Sequence, residues 1–360
     1  MKKLFILLSA ILLASAGHIS AQQTKILTAD KHNEYGLVYS LPLTALRITF
    51  TAEKETLIAG PYANYAKKYL GISDPIAESG EKWTITNVSV TPYGAVNPES
   101  RFLMQLKPGA TTFISVDRDG MLLSINKEIE DETARVATDR EEPLRYTGKE
   151  YLQFVDEDFI ASQSTAKQAE MLAENLMEVR DAYLSLTRGT TDTMPVDGKQ
   201  LELMLASLKE QQRAMTAAFA GCSYKETVSR TYTYIPEEDI SETLLRFSDF
   251  KGFCSPQDYA GAPVTIRINV TAEGKLPTDA SGKEKELPKD AVRYCIPGEA
   301  QVTLSFDGTT LYNREMEFSQ FGCEFGLSPS LFTDKKQPSF ATFDPVTGGL
   351  RELGSISAGR

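Results

Sequence analysis

Between Ser164 and Gly221 two segments of nearly equal length carry apolar residues at helical spacing, which commits the middle of this 360-residue chain to a packed helix pair. In the first, Ala169, Leu172, Leu176, Val179, Tyr183 and Leu186 recur at intervals of three and four. Thr165 and Gln168 have capping-box spacing, and Gly189 supplies a left-handed stop. The second starts at Asp197 and Gln200, places Leu201, Leu205, Leu208, Met215 and Phe219 on its seam, and ends at Gly221. Gln212 interrupts that seam. Each helix has room for about 23 residues, and the short loop from Thr190 to Val196 folds them antiparallel.

Strand-like sequence lies on both sides. Tyr35 to Leu41 and Leu46 to Ala52 alternate, with Pro42 at the corner between them. A short helix follows Gly60-Pro61, with Tyr62, Tyr65 and Tyr69 on one face, read as core packing, and a stop at Gly71. Further strands are predicted at Trp83 to Val90, Phe102 to Leu106, Thr111 to Val116 and Met121 to Ile125. Asp117-Arg118-Asp119-Gly120 turns the last two and lacks the distal acid of a calcium loop, Asn126 standing there. Glu128 to Glu142 reads as an acidic, solvated loop. After the helices, Thr231 to Ile235, Leu244 to Phe247, Val264 to Val270, Val302 to Phe306 and Leu311 to Phe318 read as strands, and Lys275 to Asp290 as a polar loop. The pattern predicts an α+β, mainly β protein: two β-rich domains, sandwich or small barrel, flanking a long antiparallel helical hairpin. The boundaries expected are a signal peptide at 1–21, an N-terminal β-rich domain at 22–160, the hairpin at 161–222 and a sandwich-like domain at 223–360.

Lys2 and Lys3, the apolar run from Leu4 to Ala14 and the small-residue exit Ile19-Ser20-Ala21 have the form of a secretory signal. Export is the expectation, to the periplasm first, with a secreted or outer-membrane-associated protein as the alternative, and no later apolar run is long enough for a transmembrane helix. Removing that leader leaves 36 basic against 49 acidic groups, which argues against nucleic acid as a partner. In an oxidising compartment Cys222, Cys254, Cys295 and Cys323, all beyond the hairpin, suggest two disulfides, with three connectivities open. They lack the C-x-x-C spacing of a zinc site, and no metal or cofactor is expected.

The two histidines are His18, in the leader, and His32, near the mature terminus, so imidazole-dependent triads and histidine-rich zinc centres are excluded. Nucleotide-binding and nucleophile-elbow motifs are absent. A glycan hydrolase using two carboxylates survives, with Asp156 and Asp158 the most suggestive pair, although two acids ahead of a helix also serve a solvated junction. Asp192-Thr193-Met194, in the hairpin loop, matches an O-glycosylation signal at Thr193.

Tyr39-Ser40-Leu41-Pro42, Ala59-Gly60-Pro61-Tyr62, Tyr69-Leu70-Gly71-Ile72, the run Ala161 to Ala166 and Ile296-Pro297-Gly298 together resemble a family of secreted Bacteroidetes proteins, domain of unknown function 4831. The resemblance implies an envelope setting and brings no catalytic residues. The C-terminal Ser355 to Arg360 does not resemble the surface-sorting domain of those bacteria, which favours the periplasm. The resulting expectation is a non-catalytic binding or scaffold protein whose partner is another envelope protein or a glycan. The alternatives are the carboxylate glycan hydrolase and a periplasmic holdase acting through the hairpin.

Overall fold

The structure is a computed structural model and describes residues 23–26, 36–105, 112–129, 146–191, 197–334 and 337–356. The leader expected at 1–21, most of the loop expected at 128–142 and Thr193 lie outside the described residues.

The chain is mainly β and is built on one strand. β1 is Gln23–Ile26, and β2 runs unbroken for 22 residues from Leu37 to Ile58, merging the two strands expected around Pro42. β3, Gly80–Gln105, likewise joins two predicted strands and returns antiparallel along the whole of β2. Pro42 is accommodated because the register shifts between Ser40 and Pro42, a bulge where a missing amide leaves no ladder bond broken. β4 (Ile114–Val116) and β5 (Leu122–Ile125) flank the expected turn. There Asp117 accepts from the Asp119 and Met121 amides at 2.9 and 2.8 Å, and Gly120 takes φ 84°.

Helix α1 (Ala63–Leu70) ends at left-handed Gly71, as its sequence predicts. A 3-10 turn (Glu150–Phe154) and α2 (Glu157–Ala161) lead into α3 (Thr165–Arg188), and α4 (Gly198–Ala220) follows. Ala169, Leu172, Ala173 and Leu176 of α3 share a core with Ala214, Met215, Ala218 and Phe219 of α4. The first half of one helix thus meets the second half of the other, an antiparallel pair. Tyr62 joins that core, its ring 5.7 Å from Phe219 and 5.9 Å from Tyr151, so the tyrosine face is packing. The α3 cap is Ser164 rather than Thr165, and Gln168 turns away from the helix start: it donates to Ser162 O at 2.8 Å and accepts from the Tyr62 hydroxyl at 3.2 Å. A partner from α1 outcompetes the local capping box. Asp197 caps α4 and Gly189 ends α3 as expected.

The remaining strands are β6 (Cys222–Tyr234), β7 (Ile240–Ser248), β8 (Gly252–Cys254), β9 (Ala262–Ala272), β10 (Val292–Phe306), β11 (Thr309–Leu327), β12 (Ser339–Phe343) and β13 (Leu350–Ser355). A four-residue helix, α5 (Ser330–Thr333), precedes β12. They complete three sheets, ordered β1-β3-β2-β6, β11-β10-β9-β7-β8 and β13-β12-β5-β4. These sheets do not respect the boundaries expected at 160 and 222. β6, after the helices, pairs with β2 from Cys222↔Ile58 to Tyr234↔Leu46, and β12 pairs with β5. The sandwich is therefore made from both ends of the chain: Leu46, Ile48, Phe50 and Ala52 of β2 pack against Leu245, Val264, Ile266, Val302, Leu304 and Phe318.

β2 threads all the cores. Tyr39 and Leu41 enter a second core with Val292, Phe325 and Phe343, and beyond Ile58 the chain passes into the helical core. Each fully buried side chain such as Phe50 contributes about 2 kcal/mol through area removed from water. β10 changes core at Ile296-Pro297-Gly298. A Cβ at Gly298 would lie 2.2 Å from Phe321 O, so only glycine lets the two backbones cross there.

Candidate functional site

A cleft of about 540 Å³ opens at the root of the hairpin. Its wall is Tyr183 of α3 with Lys209, Gln212, Arg213 and Thr216 of α4, and its floor is Ala217 and Ala220 to Cys222. The same two helices bury Leu176, Leu186 and Met215. Gln212 stands where an apolar knob would continue the seam, and it lines the cleft together with Thr216. The interruption at Gln212 was the visible sequence signal. Lys209 and Thr216, lying off the predicted seam, carried none.

Charge in the cleft is organised from its rim. Arg213 Nε donates to Glu210 Oε2 at 2.8 Å, and its guanidinium carbon sits 4.3 Å from the centre of the Tyr146 ring. Burial works against the Glu150 carboxylate. Hydrogen bonds from the Thr147 amide at 2.6 Å and hydroxyl at 2.9 Å, with Arg213 nearby, nevertheless hold its pKa below the ordinary value. The cleft thus presents an ammonium, a carboxamide, a hydroxyl and a phenol beside an apolar floor. It can hold a ligand rich in hydrogen-bond acceptors.

The cysteines are placed otherwise than expected. All four are free thiols, which corrects the expectation of two disulfides. Cys222 pairs with Ile58, Cys254 lies near Arg230 opposite Phe50, and Cys295 lies near Pro42. Three thiols are thus strung along β2 at eight-residue intervals, roughly 26 Å, whereas a disulfide needs Cα atoms within about 7 Å. Cys323 is a strand neighbour of Cys295. It faces Ile296 while Cys295 faces Glu324, so their side chains leave the sheet on opposite faces. Burial raises all four thiol pKa values, with Cys295 pushed up to about 12 by burial and then by Cys323 and Glu324. Thiols held protonated are poor nucleophiles.

Asp156 Oδ1 accepts the Phe159 amide at 2.8 Å as the cap of α2, and Asp158 sits in that helix's first turn. This is the junction role, not a converging carboxylate pair across a cleft. Among the described residues, no group of three or more His, Cys, Asp or Glu side chains is placed to hold a metal ion. No described helix is long and apolar enough to cross a membrane.

The chain matches the family model described as Domain of unknown function (DUF4831) over residues 35–351, and it belongs to that family. The match spans the helices and every strand but β1 and most of β13, and it agrees with the family resemblance read from the sequence. No curated protein and no solved structure matches the chain.

Proposed function

We propose that the protein is a non-catalytic binding or scaffold component of the bacterial cell envelope, exported to the periplasm, and that the hairpin is its contact arm. The observation that carries this reading is the cleft where Gln212 interrupts the apolar seam: a polar group that costs helix packing stands beside Thr216 and Lys209 at an open, donor-rich surface. The partner is an envelope protein or a glycan. A photo-crosslinking residue at Lys209, compared in living cells with one at Thr309 on the far sheet, tests it. Discrete adducts from position 209 alone are expected. Identical patterns from both positions would remove the cleft as a contact site.

A holdase reading has its own observation. Beyond the packed root the hairpin exposes apolar residues, Met177 and Leu184 on one stripe of α3 and Leu203 and Met204 on α4, with Leu203 64% exposed. Suppression of aggregation of an unfolded client, lost when these four become Ser, would favour it over a fixed partner.

A further inference from the structure

The outer face of the sheet β1-β3-β2-β6 changes character along its strands. Ile48, Phe50 and Ala52 of β2 turn inward to the sandwich core, so Thr49 and Thr51 face outward. The register sets Thr49 between Ser89 of β3 and Thr231 of β6, and Thr51 between Asn87 and Ser229. These six make two rows of uncharged hydroxyl and amide side chains, about 6.7 Å apart along the strands and about 4.8 Å between them. The four on β3 and β6 are exposed, and the two on β2 are half-buried. The hydroxyls of Thr49 and Thr231 lie 2.9 Å apart, and those of Thr51 and Ser229 3.2 Å. Arg47 borders the array at one end, its guanidinium carbon 4.9 Å from the centre of the Tyr93 ring on the same face. Past the other end the face becomes ionic, with Lys225 2.7 Å from Glu53. Charge thus keeps part of this face in water, as expected of a chain that is 24% charged, whereas the six carry none.

We propose that this face binds an extended, uncharged glycan. A hydroxyl donates one hydrogen bond and accepts two, so each bonded pair still offers a donor and several acceptor positions outward. A sugar diol presents the same mixture, and the two can pair in either sense. Other ligand classes find little here. A nucleic acid or an anionic lipid surface needs clustered cations, and Arg47 is a single charge turned against a ring. A protein partner, a second copy of this chain included, needs an apolar or aromatic centre that water leaves, and the six residues supply none. Tyr93 stands at the margin, where it can take the apolar C–H side of one sugar ring while the hydroxyl rows take the polar edges of the next. The pairing of β2 with both neighbours is free of bulges from Arg47 to Thr51, so the rows keep an even spacing that suits a linear, repeating ligand. The site lies on the sandwich, apart from the helical cleft, and the inference stands whatever the cleft binds.

An array of uncharged linear hexose oligomers, with polygalacturonate as the anionic control, tests the site on the purified protein. Binding to at least one uncharged oligomer and none to polygalacturonate is expected. Thr49→Val/Thr231→Val removes both hydroxyls of one bonded pair at constant shape, so the melting temperature should hold while affinity for the bound oligomer falls about tenfold. Ser229→Glu, at an exposed position, should abolish binding, and it decides the matter should the double variant fold poorly. Thr243→Val/Thr265→Val makes the same exchange at a paired position on the other sheet of the sandwich, and affinity should not change. The proposal is overturned by an array on which no uncharged oligomer binds, by binding to polygalacturonate alone, by affinity that survives both Thr49→Val/Thr231→Val and Ser229→Glu, or by equal losses in the two double variants.

Discussion

Gln320 of β11 reads the backbone of Thr44 as a neighbouring strand would: its Nε2 donates to Thr44 O at 3.0 Å while its Oε1 accepts the Thr44 amide at 3.0 Å. β6 has ended opposite Leu46, so the next stretch of β2 has lost its sheet partner there, and Thr44 is fully buried. Ser319 accepts the same amide at 3.0 Å, and Gln320 also donates to Pro236 O at 2.8 Å. One carboxamide thereby closes the sandwich where its sheet runs out. Gln320→Ala leaves two carbonyls without this donor and should cost about 2 to 4 kcal/mol, measured by denaturant unfolding. A loss below about 0.5 kcal/mol would show that water replaces the side chain.

The hairpin should divide into a root that holds and a tip that does not. Leu176 is fully buried, so Leu176→Ala should cost about 2 to 5 kcal/mol from lost transfer energy and a residual cavity. Leu203→Ala, at a largely exposed site, should cost at most about 0.5 kcal/mol. Equal losses in urea melts would contradict the seam.

Acid should loosen the ribbon between sandwich and helices. Lys54 lies 2.7 Å from Glu81, and this hydrogen-bonded ion pair lowers the Glu81 pKa below its ordinary 4.5 despite some burial. A carboxylate with a depressed folded pKa stabilises above its unfolded pKa, and that contribution is lost as pH falls through the folded value. Unfolding midpoints should therefore drop as pH goes from about 5 downward, and less steeply in Lys54→Met. Parallel slopes for the two proteins would dismiss the pair as a source of acid sensitivity; its partial exposure keeps the effect small.

Thiol counting tests the cysteine placement directly. Alkylation of denatured, unreduced protein should label all four cysteines, while in the folded state burial should make Cys295 the slowest to react. Labelling of only two would mean that strands bearing cysteines approach as they do not here.

The helices α1, α3 and α4, the stops at Gly71 and Gly189, the Asp197 cap and the Asp117 turn were legible in the sequence, because each depends on residues within one or two turns of chain, whereas the short α2 and α5 were not. Alternation in Val264 to Val270 likewise marked a half-buried strand, since neighbouring side chains must face opposite ways. Alternation says which face is buried and never which strand lies alongside. That β6 returns to β2, that β12 joins β5, and that Pro42 sits in a bulge of one long strand were decided by contacts between residues about 54 to 218 apart in the chain. The same holds for the four cysteines, grouped in sequence yet set apart because a strand advances ~3.3 Å per residue. The candidate cleft was half legible: Gln212 broke a periodic pattern on its own helix, whereas Tyr183, Lys209 and Cys222 came to it only when α3, α4 and β6 converged.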